Sequence, residues 1–409
     1  MYSSDSAADG GALGGIKVLE LNMLSPAAFT TVMLADMGAD VIRITRPTTG
    51  SDPLEAMWDT PRKVAGNWLD RNKRWLQLDL KSPEGVEVFN ALAREADVVV
   101  DGFRPGVLDR LGLGYEAISA NNPGIVYCAM SGFGQTGPYR LRPAHDLDFL
   151  ALSGVLSMLG RTGSMPTIPM NVVADYAGAS MHAALGIMFA LFARVRTGRG
   201  QKVDISYLDT TLAVLSASPP VTAWLGGGPE PSPDRGIFTA EFPYYSIYAD
   251  RDGRLMTISA TEPWLFANLC EVVGRPDLVS GAMPGGAFSA QPGPEDARVR
   301  AGLAEALRAR TREEWFELLG AANVCVGIVN DVPAAFADPQ VVARDMALRL
   351  DSPDVADGVL HPGVAIKLSE TPGQVRTLPA APGQHTDQIL RELGYPAATI
   401  AAFHDRKLI

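Results

Sequence analysis

Histidine, cysteine and aromatic residues are scarce in this chain of 409 residues, which contains five histidines, three cysteines and 7% aromatic residues. The cysteines, Cys128, Cys270 and Cys325, are far apart in sequence. Neither a disulfide framework nor a cysteine zinc site fits that spacing. A reducing compartment does fit it, and we expect the protein to be cytoplasmic.

An excess of basic charge is also absent. The net charge is −11, from 35 basic and 46 acidic residues, which argues against nucleic acid as the main partner. No uninterrupted apolar run reaches the roughly 18 residues of a membrane span, so we expect no membrane partner. Residues 1–15 lack the apolar core of a signal peptide and are expected to form a loose tail.

Strand and helix patterns alternate through the first half of the chain, which predicts parallel βαβ units in a doubly wound α/β sheet. No Gly-x-Gly-x-x-Gly sequence follows the first strand, so an ordinary dinucleotide site is excluded. The predicted strands are Lys17–Leu21, Asp40–Ile44, Trp75–Leu80, Ala96–Val100, Ile125–Met130 and Val203–Ser206. The predicted helices are Pro26–Gly38, Pro83–Ala96, Tyr115–Asn121 and a long helix from Asp175 to about Arg196.

A second domain of α+β type is predicted within residues 225–330. Two strands flank an Asp-Gly turn at 252–253, which is typical of a β-hairpin, and helices follow at 262–273 and 294–319. A segment rich in proline and glycine, residues 216–232, precedes this domain as a linker. Residues 1–215 and 335–409 are therefore predicted to form one large, Rossmann-like α/β domain into which the smaller domain is inserted.

Three residues are candidates for chemistry, and each also has an ordinary structural interpretation. His145 lies in a His-Asp dipeptide, which is weak evidence alone. Asp175 precedes the long helix, where an aspartate often caps free N–H groups. A carboxylate in that position is also favoured as an anion by the helix dipole. Glu262 precedes Pro263 and is equally typical of a helix start.

A series of motifs resembles the class III CoA-transferase (CaiB/BaiF) family over nearly the whole chain. In order, they are Gly38–Ile42, Asn72–Arg74, Phe103–Val107, Arg110–Gly114, Ser131–Pro138 and the closing segment 382–395. Within that family, three further segments resemble the 2-methylacyl-CoA racemases: His145–Leu156, Asn171–Gly178 and Thr261–Pro263. The run of four glycines found in the small domain of the formyl-CoA type of transferase is missing here.

The racemase resemblance implies epimerisation at carbon 2 of an acyl-CoA thioester through an enolate. His145 would serve one face of that carbon and Asp175 the other, and Glu262 would support protonated His145. Coenzyme A would enter as part of the substrate, with no prosthetic group and no metal. N–H groups at the start of the long helix are candidates for binding the enolate oxygen.

Two alternatives remain at this stage. A class III CoA transferase would use Asp175 as a nucleophile that forms an aspartyl anhydride and then an aspartyl-CoA thioester. A protein that binds coenzyme A without chemistry is the third interpretation. Resemblance also implies two interlocked copies of the chain, with Glu262 supplied by one subunit and the other two residues by its partner.

Coenzyme A carries phosphates, which arginine guanidinium groups bind well, although any single arginine is also typical of a solvated surface. By resemblance, the coenzyme contacts are Arg46, Arg71, Arg74, Leu78, Lys81, Gly102, Arg104, Arg110 and Asp146. Clustered methionines at 158, 165, 170, 181 and 188 are typical of core filler, but in racemases they resemble a surface for the acyl chain. The chain departs from the family at 22–26 and at 239–243, where Glu241 adds an acid that would change the acyl group accepted.

Overall fold

The computed structural model of the protein describes residues 11–21, 26–50, 53–238, 242–283 and 290–409. Its strands are β1 (Lys17–Leu21), β2 (Asp40–Thr45), β3 (Lys73–Gln77), β4 (Val98–Asp101), β5 (Val126–Ser131), β6 (Lys202–Ser206), β7 (Tyr245–Ala249), β8 (Leu255–Ser259), β9 (Val326–Ile328), β10 (Ala347–Ser352) and β11 (Val355–Pro362). Its helices are α1 (Pro26–Asp36), α2 (Pro61–Gly66), α3 (Pro83–Glu95), α4 (Val107–Arg110), α5 (Tyr115–Asn121), α6 (Asp146–Ser153), α7 (Met181–Thr197), α8 (Tyr207–Ser216), α9 (Pro219–Leu225), α10 (Pro263–Val272), α11 (Pro294–Leu307), α12 (Arg312–Ala321), α13 (Val332–Ala337), α14 (Pro339–Ala343), α15 (Thr386–Glu392) and α16 (Ala397–Asp405).

Six parallel strands form the main sheet in the order β3-β2-β1-β4-β5-β6. The chain winds outward from β1 in one direction and from β4 in the other, so the strand order reverses between these two strands. β4 is buried throughout and is apolar except for its last residue, Asp101, as expected for a parallel strand covered on both faces. The predicted doubly wound α/β class is therefore confirmed.

Two hydrophobic layers cover this sheet. One contains Phe89 of α3, Leu390 of α15 and Phe403 of α16, so the C-terminal helices complete a core that begins near the N-terminus. The other contains Leu34 of α1 and Ile187 of α7. Helices on both faces leave only the strand ends accessible, and ligands of such sheets bind at the carboxyl ends.

The long helix differs from its prediction at its start. It begins at Val172 rather than at Asp175, and residues Val172–Ser180 form π-helical turns before α7. Ser180 Oγ donates to the backbone oxygens of Asp175, at 2.8 Å, and of Pro26, at 2.8 Å. These bonds fasten the π-helical segment to the start of α1. Such segments are frequent at functional sites.

By length and composition alone, the combined helix Val172–Thr197 could cross a membrane, with a mean hydropathy of 1.5 over a window that is 39% buried. A helix that packs in the core of a folded protein meets the same criterion, so the expectation of no membrane partner stays a prediction. The helix packs by one face on α1, β5 and β6 through Ala183, Ile187 and Ala190. Its other face is apolar and exposed.

The chain divides into two compact units. The first comprises Met1–Phe149, Met170–Thr211 and Phe336–Ile409, and it contains the parallel sheet and the β10–β11 hairpin. The second comprises Leu150–Pro169 and Leu212–Ala335. The sequence assigned residues 150–169 to the large domain, but the structure groups them with the second unit, where Thr162 Oγ1 donates to Asp234.

The second unit contains the antiparallel sheet β7-β8-β9 with helices α10, α11 and α12. Its core includes Tyr244, Phe266, Leu303 and Trp315. The β7–β8 turn is fixed by the fully buried Asp250, whose carboxylate accepts hydrogen bonds from the N–H groups of residues 252, 254 and 312. The linker predicted over 216–232 includes α9.

Candidate active site

The carboxyl edge of the parallel sheet carries most of the predicted coenzyme contacts. Arg46 follows β2, Lys81 follows β3 and Arg104 follows β4, and all three are exposed. Arg110, also exposed, ends α4, with its guanidinium near Gly106. Leu78 is 1% exposed, so only its backbone can reach a ligand. The edge thus offers four accessible cations to phosphate groups.

Two predicted coenzyme contacts lie elsewhere. Arg71 and Arg74 are at the amino end of β3, which in a parallel sheet is the edge opposite the one just described. Arg71 is 1% exposed and donates to both carboxylate oxygens of Asp36, at 3.0 and 2.7 Å. Arg74 donates to Asp40 at 2.6 Å and to Glu392 at 2.6 Å. Because both guanidinium groups are occupied by carboxylates, we leave them out of the coenzyme site.

A buried carboxyl group holds the loop that carries Gly102 and Arg104. Asp101, at the end of β4, accepts hydrogen bonds from Phe103 N–H, at 2.9 Å, and from the Tyr127 hydroxyl, at 2.8 Å. Burial raises the pKa of Asp101 to about 6, although these two donors oppose the change. The sequence did not reveal this pair, because an aspartate ending a strand and a tyrosine inside the next one carry no motif.

His145 is placed by an aromatic cluster that anchors α6. Phe149 is 2% exposed, and its ring lies 5.5 Å from that of Phe133 and 5.3 Å from that of Tyr207. A Cβ at Gly132 would lie 2.7 Å from the Phe149 ring, so the motif that begins at Ser131 needs glycine there. His145 precedes the helix, is exposed, and donates its N–H to Asp148 Oδ2 at 2.9 Å.

Asp146 connects α6 to the π-helical segment. Its Oδ1 accepts a hydrogen bond from Asp175 N–H at 2.9 Å, and its carboxylate also accepts one from Ala174 N–H. Asp146 is 8% exposed, and burial raises the pKa of its carboxyl group. Its side chain therefore points into the protein, and only its backbone could make the predicted contact with the coenzyme.

Asp175 is a half-buried carboxyl group with an altered proton affinity. Burial and the neighbouring Asp146 charge raise the pKa of Asp175 to about 6. Asn171, whose Nδ2 lies 3.4 Å from Asp175 Oδ2, and the charge of His145 act in the opposite direction. His145 and Asp175 thus lie close enough to interact. A carboxyl group with this pKa can give or take a proton near neutrality.

Glu262 lies in the second unit, immediately before α10. It is exposed, and its Oε2 accepts a hydrogen bond from Thr261 Oγ1 at 2.9 Å. It makes no side-chain capping bond to α10, which leaves its carboxylate available. Of the two sequence departures, 22–26 and 239–243, residues 22–25 and 239–241, including Glu241, lie outside the described residues.

Comparison with known proteins identifies one family over almost the whole chain. The model of CoA-transferase family III matches residues 13–386. Human alpha-methylacyl-CoA racemase is 34% identical over 404 residues, covering 97% of each chain. The beta subunit of succinyl-CoA–L-malate CoA-transferase from Chloroflexus aurantiacus is 32% identical over 393 residues, covering 93% of this chain and 94% of its own. The crystal structure of a CaiB/BaiF family protein from Brucella suis superimposes with a TM-score of 0.77 at 28% identity, covering 94% of this chain and all of the other.

Proposed function

Because the chain belongs to CoA-transferase family III, we propose that it racemises 2-methylacyl-CoA thioesters by removing and returning the proton at carbon 2. The observation that carries the proposal is the shared site of His145 and Asp175, in which the pKa of Asp175 is raised to about 6. A group that must act as base in one direction and as acid in the other works best with a pKa near the working pH.

The reaction requires two groups on opposite faces of carbon 2. One group takes the proton, and the electron pair of the broken C–H bond moves into the thioester carbonyl to give an enolate. The second group then donates its own proton to the other face, and the enolate collapses to the inverted thioester. Each turnover leaves the proton on the group that began as the base, so the site is ready for the reverse direction.

Hydrogen-bond donors for the enolate oxygen are the N–H groups of Asp146 and Leu147, in the first turn of α6. Within the described part of the chain these two donate to no protein acceptor. The sequence offered N–H groups at the start of the long helix as candidates for this role, but those of residues 174 and 175 are already bonded to Asp146. Free N–H groups at a helix start stabilise developing negative charge.

Coenzyme A is expected as part of the substrate, and proton transfer by two side chains needs no prosthetic group. Arg46, Lys81, Arg104 and Arg110 are the side chains proposed to bind its phosphates, with Gly102 and Leu78 contributing backbone. For the acyl chain we propose the exposed methionines Met170 and Met181, whose side chains are 71% and 50% exposed. Flexible thioethers suit a branched acyl group. A cytoplasmic location remains a prediction.

We propose that the exposed face of α7 packs against a second copy of the chain. Phe189, Phe192 and Val195, at 69%, 67% and 82% exposure, lie on the helix face that points away from the sheet. An apolar stripe of this kind marks an interaction surface. In the resulting homodimer, Glu262 of the partner subunit would complete each site.

Mixed dimers test this arrangement. A purified heterodimer of one Glu262→Gln subunit and one His145→Ala subunit would retain one intact site, and about half of the wild-type activity per dimer, if the acid comes from the partner. Both homodimeric variants serve as controls and should be inactive. An inactive heterodimer would contradict the shared site.

CoA transfer is the second candidate, and the 32% identity to the succinyl-CoA–L-malate CoA-transferase subunit favours it. In that reaction ionised Asp175 attacks the thioester carbonyl, and CoA leaves as a thiolate from an aspartyl anhydride. The thiolate then attacks the aspartyl carbonyl, which releases the first acid and gives aspartyl-CoA. This route requires a nucleophilic carboxylate and assigns no proton-transfer role to His145.

One incubation distinguishes the two reactions. The enzyme is mixed with a 2-methylacyl-CoA and a second carboxylic acid in deuterated water, and carbon 2 is followed by NMR. Racemisation predicts deuterium at carbon 2 with loss of chirality and no new thioester, and Asp175→Asn should abolish that loss. A new CoA thioester of the added acid, without exchange at carbon 2, would contradict the proposal.

A further inference from the structure

We propose that Asp146 is a positioning residue, which holds the backbone of Asp175 in register with His145 and thereby fixes the separation of the two proton-transfer groups. The proposal rests on the racemase function proposed above. Its basis is geometric: Asp146 is the residue next to His145 in the chain, and its carboxylate accepts hydrogen bonds from Asp175 N–H, at 2.9 Å, and from Ala174 N–H.

The covalent connection between the two elements takes an indirect path. Between α6 and the π-helical segment, the backbone takes left-handed conformations at Gly154, Gly160 and Gly163, and again at Met170. The connection therefore reverses several times between the two elements. The buried carboxylate of Asp146, 8% exposed, links the ends directly. Misplacing a reacting group by about 1 Å can lower a rate by a factor of about 100.

Asp146 also adds a negative charge beside Asp175. The other groups that face the π-helical segment are His145, before α6, Asn171, immediately before the segment, and His182 of α7, whose Nδ1 lies 2.6 Å from Gly178 O. α1 and α8 also pack against the segment, and they present hydroxyl groups there: Thr30 donates to Ser180 O, and Thr210 and Thr211 lie beside Gly178. The carboxylate of α1, Asp36, is paired with Arg71. Asp146 is therefore the carboxylate that favours retention of a proton on Asp175.

Two substitutions separate geometry from charge. Asp146→Asn keeps an oxygen that can accept from Asp175 N–H but removes the charge. We expect kcat to stay within about threefold of wild type, because the hydrogen bond persists, and the acid limb of the pH–rate profile to move to lower pH. Asp146→Ala removes both the hydrogen-bond acceptor and the charge, and kcat should fall by a factor of about 10 to 100 with little change in KM. Asp209→Asn, an exposed carboxylate on α8, is the control for loss of negative charge.

A titration without substrate keeps this test independent of the proposed reaction. The carboxyl carbon of Asp175, labelled with carbon-13 and assigned by its loss in Asp175→Asn, is followed by NMR against pH in wild type, Asp146→Asn and Asp209→Asn. A lower midpoint in Asp146→Asn alone supports the role. Equal midpoints in all three proteins, or an Asp146→Ala enzyme with wild-type kcat and pH profile, would overturn it. A wild type that does not racemise would refute the proposed function and leave this titration interpretable.

Discussion

The raised pKa of Asp175 has a consequence for stability, since a carboxyl group that prefers its proton in the folded state destabilises that state when it ionises. The pKa is about 6 in the folded protein, against 3.8 for a solvated aspartate. At 1.36 kcal/mol for each tenfold change in proton affinity, the difference corresponds to about 3 kcal/mol. Because the side chain is only half-buried, solvent screening reduces this to roughly 1–2 kcal/mol.

The substitution Asp175→Asn should therefore stabilise the protein near neutral pH. Below pH 3.8 the wild-type carboxyl group is protonated in both states, so the two proteins should be equally stable. As the pH rises towards 6, the unfolded carboxyl group ionises first and wild type loses stability that the variant keeps. The difference in unfolding free energy should grow across this window to roughly 1–2 kcal/mol and then level off.

Urea denaturation of both proteins between pH 4 and pH 8 measures this difference directly. Asp351→Asn, at an exposed carboxylate on β10, is the matched control and should stay within about 0.5 kcal/mol of wild type. A variant that is less stable than wild type at pH 7, or a difference that does not depend on pH, would refute the reasoning, because Asp175 would then be a stabilising helix cap.

Four further substitutions test the contacts described above. Arg46→Ala should raise KM for the acyl-CoA about tenfold in steady-state assays, in a salt-dependent manner. Arg71→Ala should lower the unfolding free energy by about 3–5 kcal/mol, because it leaves the buried carboxylate of Asp36 without its cation. Tyr127→Phe removes a donor to Asp101 and should lower the unfolding free energy by about 1–3 kcal/mol and raise KM more than it lowers kcat. Phe149→Leu should lower the melting temperature and reduce kcat, because the aromatic cluster that anchors α6 is lost, with a stability loss of about 1–2 kcal/mol.

The sequence predicted the α/β architecture well because parallel strands that are buried on both faces are apolar runs bounded by turn residues. β1 and α5 have the predicted bounds. The π-helical start of the long helix was not predicted. Its Ser180 donates a hydrogen bond to Pro26, 154 residues earlier in the chain, and no local pattern records such a contact.

The candidate site was predicted only in part, because its contacts also join residues that are distant in the sequence. Motif resemblance identified Arg71 and Arg74 by residue type, but the strand direction places them at the edge opposite the other predicted cations, where Asp36, Asp40 and Glu392 pair with them. A motif does not state which way a side chain points. Asp146 was likewise predicted as a coenzyme contact, whereas its carboxylate bonds to the backbone of Asp175, 29 residues away.

The most direct test of the two-base account follows each epimer of a 2-methylacyl-CoA separately in deuterated water, with His145→Gln and Asp175→Asn. The account predicts that neither variant inverts carbon 2. Each should still exchange the carbon 2 proton of one epimer, a different epimer in each variant, because the remaining base reaches only one face. If both variants exchange the same epimer, or if either still inverts the centre, His145 and Asp175 do not act on opposite faces of carbon 2.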